Sequence, residues 1–86
     1  MSNGNPSKEK IIPDNTVDAK NLHSPLPLLR LKKELAAMKI EAIVRIDCTD
    51  PGSLDDIESW CIRMNHSFLG EKKEEDGCSY YIQKKN

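Results

Sequence analysis

This 86-residue chain has no long hydrophobic run, so nothing in it reads as a membrane-spanning segment. Met1 to Asn15 lacks the apolar stretch of an export signal, and the expected location is the cytoplasm. Charge of one sign is missing too. Thirteen basic side chains stand against 14 acidic ones, which leaves no global field to recruit nucleic acid or an anionic membrane. Aromatic residues are few, and apart from Tyr81 none suggests a base-stacking ladder on a sheet face, so direct nucleic-acid binding is not expected. The three cysteines are an odd number without Cys-x-x-Cys spacing, which excludes a disulfide framework. No cluster of zinc-ligand spacing accompanies them, and neither metal nor cofactor is expected. His23 has neither a paired carboxylate nor a second histidine beside it, so hydrolytic chemistry is not supported.

What is present is one small domain that needs an efficient core. Residues 1–15 read as a disordered tail, in which only Ile11 and Ile12 are an apolar pair. The folded domain is expected over 16–86. Thr16 to Lys20 alternates as a short strand with Val17 and Ala19 inward. Pro25 to Met38 carries Leu28, Leu31, Leu35 and Met38 at helical spacing, with Pro27 and Leu29 widening the stripe. Glu41 to Cys48 alternates again, Ala42, Val44, Ile46 and Cys48 forming the inward set. Pro51 and Gly52 then turn the chain into a second helix, with Ser53 as a capping residue and Asp55 and Asp56 in the first turn. Its predicted buried stripe is Leu54, Ile57, Cys61 and Met64, with Trp60 beside it. Asn65-His66-Ser67 starts a third strand, Asp76-Gly77 marks a hairpin turn, and Cys78 to Gln83 returns as the fourth. The order βαβαββ predicts a two-layer α/β (α+β) sandwich, a four-stranded mixed sheet with two helices on one face. Cys48 and Cys61 fall in the apolar sets as packed thiols, and Cys78, near the hairpin, is the more reachable.

The stretch Leu22-His23-Ser24-Pro25-Leu26-Pro27 joins a strand exit to a helix entrance. Ser24 is a good N-cap residue and Pro25 suits the first helical position. Because neither proline can donate, the Leu26 N–H is the expected partner of the Ser24 oxygen. Asp18 either satisfies backbone donors in the following loop or faces water.

Asp18-Ala19-Lys20-Asn21-Leu22-His23-Ser24-Pro25-Leu26-Pro27 resembles the entry motif of the TusA/SirA-like small sulfur-carrier proteins. Thr49-Asp50-Pro51-Gly52, Ile57, Trp60-Cys61 and Asn65-His66 are similar to the second region of that family. The resemblance implies the βαβαββ fold and a relay of persulfide sulfur between donor and acceptor proteins. It also implies that the persulfide sits on a cysteine immediately before Pro-x-Pro, and here that residue is Ser24. A serine hydroxyl cannot hold a persulfide, so turnover is not expected from the chain as it stands. The chain is either a cysteine-to-serine form of a carrier, favoured by the intact motif, or a natural thiol-less regulatory or protein-interaction module of the same fold. The implied site is Ser24, with Asp18, His23, Pro25, Leu26, Pro27 and Arg30 as supporting or partner-binding residues. A monomer is expected.

Overall fold

The computed structural model describes residues 11–86. The first ten residues of the expected tail lie outside the described residues. The elements are β1 (Asn15–Ala19), α1 (Leu26–Ala36), β2 (Ile43–Cys48), α2 (Ser53–Met64), β3 (Ser67–Glu74) and β4 (Gly77–Gln83). They form one mixed sheet in the order β1-β2-β4-β3. β1 runs parallel to β2, and β4 is antiparallel to both its neighbours. This is the predicted two-layer sandwich.

Strand alternation decides which face is covered. Val17, Ala19, Val44, Ile46, Cys48, Tyr80 and Ile82 are buried in the core with Leu31 and Leu35 of α1 and Ile57, Trp60 and Cys61 of α2. The helix stripes are narrower than the sequence suggests. Leu29 is 51% exposed and Met64 45% exposed: Leu29 lies on the side of α1 away from the buried Leu31 and Leu35, and Met64, although in line with Ile57, Trp60 and Cys61, is the last residue of α2. Ser53 is buried instead, and it does not cap: Gly52 holds the N-cap position of α2 with no side-chain bond. Asp55 and Asp56 do occupy the first turn.

Asn65 ends α2 rather than starting β3. It takes the left-handed conformation at φ 60°, and the next N–H, from His66, donates to the Cys61 carbonyl at 2.9 Å. Asparagine tolerates this conformation better than most residues. The β3–β4 hairpin turns one residue earlier than expected, at Glu75-Asp76, because Gly77 already pairs with Glu74 as the first residue of β4. A side chain on Gly77 would place its Cβ 2.1 Å from the Cys48 carbonyl oxygen, so only glycine lets β4 come this close to the end of β2.

The C-terminal end of α1 is closed by a residue far away in sequence. The Lys84 ammonium donates to the carbonyls of Leu35 at 2.8 Å and Met38 at 2.7 Å. A cation belongs there, since the carbonyl end of a helix carries partial negative charge; the Leu35 carbonyl also accepts from the Met38 N–H at 3.0 Å, and Met38 lies just past the helix. On the face away from the helices, Arg45 Nε meets Asp47 at 2.7 Å, and the fully buried Ser79 hydroxyl donates to the same carboxylate at 2.7 Å.

Candidate functional site

Three backbone turns bring the site together at the ends of β1 and β2. Asp18 accepts from the Lys20 N–H at 3.0 Å, so of its two expected roles the loop-bonding one is made. Asn21 follows at φ 68°, and its N–H donates to Thr49 Oγ1 at 2.9 Å. The loop is thereby pinned to the residues just past β2. The Ser24–Pro25 peptide is cis.

Ser24 does not cap α1. The N-cap is Pro25, which has no side chain able to bond, and the Leu26 N–H donates to the His23 carbonyl at 2.8 Å. The Ser24 hydroxyl donates instead to the Asp56 carboxylate in the first turn of α2. A charged acceptor makes the stronger bond and turns the hydroxyl away from its own helix. The Ser24 N–H donates to Asp50, whose other oxygen accepts from the Gly52 N–H at 3.0 Å. Those two N–H groups hold the Asp50 carboxyl below the usual carboxylate range, with His23 helping slightly.

Position 24 thus sits where the N-terminal ends of both helices meet. Ser24 Cβ lies 3.7 Å from where a Cβ on Gly52 would stand. Two helix N-termini favour negative charge at this point, and two carboxylates, Asp50 and Asp56, already supply it. The expected supporting residues divide. His23, Pro25, Leu26 and Arg30 are exposed around Ser24, whereas Pro27 is buried in the core-facing stripe of α1 and offers no surface to a partner. Beside Leu26 and Arg30 a groove of about 760 Å³ runs between α1 and β1, lined by Thr16, Asp18, Leu22, Leu29 and Lys33.

Residues 15–84 match the family model described as sulfurtransferase TusA. The chain belongs to the TusA family. Among TusA relatives, a sulfur carrier protein TusA of Allochromatium vinosum is 37% identical over 73 residues, covering 85% of this chain and 95% of that relative. A sulfur carrier protein TusA of Pseudomonas entomophila is 32% identical over 75 residues, with 87% and 94% covered. The crystal structure of a SirA-like protein from Desulfitobacterium hafniense superposes with a TM-score of 0.73 at 20% identity, covering 84% of this chain and 99% of that one, and so shares the TusA fold.

Sequence reasoning placed Asp50 in a turn motif and Asp56 among favourable helix-start charges. It did not assign either to position 24. The sequence separations, 26 and 32 residues, carry no local signal of the contact. Among the described residues, no group of three or more histidine, cysteine, aspartate or glutamate side chains is arranged to hold a metal ion, and no helix is long and apolar enough to cross a membrane.

Proposed function

We propose that this chain works within a sulfur relay as a TusA-type docking module, with position 24 as the persulfide position and Ser24 as its blocked form. The sulfur-carrier names of its relatives support the relay. The blocked form rests on one observation: the Pro25-Leu26-Pro27 motif is intact, and the residue immediately before it is a serine, whose hydroxyl cannot hold a persulfide. In a carrier of this kind a donor persulfide is attacked by a thiolate at this position and the outer sulfur then passes to an acceptor protein. Ser24 offers no such thiolate. Donor and acceptor proteins are recognised on the rim formed by His23, Leu26 and Arg30.

The experiment is sulfur loading of the parent chain and of the Ser24→Cys variant by a persulfide donor, followed by peptide mass mapping. Added sulfur at position 24 in the variant alone is the expected result. A variant that gains none there, while its thiol remains alkylatable, removes the relay reading.

The alternative, a natural thiol-less interaction module, is favoured by the bond from the Ser24 hydroxyl to Asp56, because Asp56 suits a hydroxyl donor and opposes an anionic sulfur. Binding of one partner protein equally by both forms, with no sulfur transfer from either, is the outcome that would select it.

A further inference from the structure

Cys48 and Cys78 stand directly opposite each other in the antiparallel β2–β4 ladder. Both side chains point to the helix-covered face, in register with Ile46, Tyr80 and Ile82. Directly opposed residues of an antiparallel pair have Cα atoms about 4.5–5.5 Å apart, inside the range of about 4.4–6.8 Å that a disulfide spans. Gly77, next in line, permits the close approach of the two strands at this point, since a Cβ there would stand 2.1 Å from the Cys48 carbonyl oxygen. Both thiols are free.

The two cysteines differ in access. Cys48 is 2% exposed, and Cys78 is half-buried beside the hairpin. Burial pushes the Cys48 thiol up to about 11, so it stays protonated until its proton passes to the leaving sulfur. Next to Cys48 lies Ser53, whose buried hydroxyl has no hydrogen-bond partner, and its position favours a thiolate at Cys48. A buried donor left unpaired costs stability, and here it faces a sulfur that can become its acceptor. The pair also adjoins the site, because Thr49 and Asp50, which hold the Asn21 and Ser24 N–H groups, follow Cys48 directly.

We propose that Cys78 and Cys48 form a dithiol that reduces small-molecule persulfides, Cys78 taking the outer sulfur and Cys48 releasing it as sulfide. In the first step the Cys78 thiolate attacks the outer sulfur of the persulfide. A bond forms between them, the bond within the persulfide breaks, and the small molecule leaves as a thiol after taking a proton. In the second step Cys48 attacks Cys78 Sγ. The cross-strand disulfide forms, and the outer sulfur leaves with the electron pair and the Cys48 proton. The two cysteine sulfurs are oxidised and the outer sulfur is reduced to sulfide, so the exchange needs no further oxidant. A small-molecule thiol reopens the disulfide for another cycle. The choice of persulfide rests on the sulfur-relay reading; the pairing of the two thiols does not.

The test treats the reduced parent protein, anaerobically, with glutathione persulfide in one arm and oxidised glutathione in the other. Sulfide and peptide masses are measured in both. The persulfide arm is expected to give one sulfide per linked Cys48–Cys78 peptide, and the disulfide arm the same linked peptide without sulfide. In Cys48→Ala the added sulfur is expected to stay on Cys78, and sulfide release is lost. Cys78→Ser, at a half-exposed position, should lose both and provides a second variant if Cys48→Ala fails to fold by circular dichroism. Sulfide release undiminished in Cys48→Ala or in Cys78→Ser, or no linked peptide in either arm, overturns the proposal. Linkage by oxidised glutathione with no sulfide from the persulfide overturns the reductase activity. Position 24 is untouched in every arm, so these results stand apart from loading of Ser24→Cys.

Discussion

At position 24 two electrostatic effects oppose each other. The N-termini of α1 and α2 converge there and favour a negative charge, an effect worth about 0.3–1 kcal/mol at an exposed helix end. The Asp56 carboxylate is in contact with the same side-chain position and disfavours it. A full charge in direct contact outweighs partial charges spread over a helix end. A thiol introduced by Ser24→Cys is therefore expected to be less acidic than one in Ser24→Cys combined with Asp56→Asn. The pH dependence of alkylation at that thiol is the measurement, and a midpoint unmoved or raised by the second substitution would contradict it. Asp50 acts differently: it binds backbone N–H groups of Ser24 and Gly52 and so shapes the loop.

At the scale of elements, α1 depends on residues outside itself at both ends. Its entrance is secured by the Ser24 N–H to Asp50 and the Leu26 N–H to the His23 carbonyl. Its exit is closed by Lys84, just past β4, at the Leu35 and Met38 carbonyls. Hydrogen bonds from a charged donor contribute about 1.5–3 kcal/mol when buried, and the half-buried setting of Lys84 reduces that figure. Lys84→Met keeps most of the apolar stem and removes the donor. It is expected to lower stability by about 1 kcal/mol, seen as a shifted urea midpoint with an unchanged slope. Amide exchange should speed up most in the last turn of α1. A midpoint equal to that of the parent would mean that water serves those carbonyls equally well.

For the whole molecule, acid sensitivity has a definable source. His66 packs against Trp60 with ring centroids 5.3 Å apart and planes tilted by 43°, and its Nδ1 accepts from the Lys85 N–H at 3.1 Å. Burial, and then the nearby Lys84 ammonium, push its pKa below the ordinary histidine value. Because the folded pKa is the lower one, the unfolded chain binds a proton that the folded chain refuses. Stability is then full above about pH 6.5 and falls as pH drops from there toward the folded value. His66→Gln should flatten that part of the profile, measured as urea midpoints between about pH 7.5 and about pH 5. An equal slope in parent and variant would assign the loss to other groups. Asp47 acts at lower pH: burial raises its pKa, but the bonds from Arg45 and Ser79 outweigh burial and leave it below the usual value. Its contribution is therefore held above the ordinary carboxylate range and lost as pH falls through the lower folded value.

Much of the fold was legible in the chain because its signals are local. Val17 with Ala19 and Val44 with Ile46 alternate at the strand period, Leu31 and Leu35 recur at the helix period, and Asp76-Gly77 marks the hairpin to within one residue of its turn. These patterns placed six elements in the right order, and the resemblance carried by Asp18 to Pro27 and Thr49 to His66 pointed to the family. Local signals failed where a flank had to be told from a face. Leu29 and Met64 are as apolar as their buried neighbours, yet Leu29 lies round the side of α1 and Met64 at the last residue of α2, where the core ends. They failed again where partners are distant. Ser24 has the chemistry of a cap, yet Asp56 takes its hydroxyl; Lys84 looks like a solvated chain end, yet it closes α1; Cys48 and Cys78 acquire each other only through strand register. Hydrophobic period and turn chemistry act between near neighbours and can be read along the chain. A hydrogen bond or a thiol pair depends on distances of a few ångströms between residues tens of positions apart, and those distances exist only after the layers have packed.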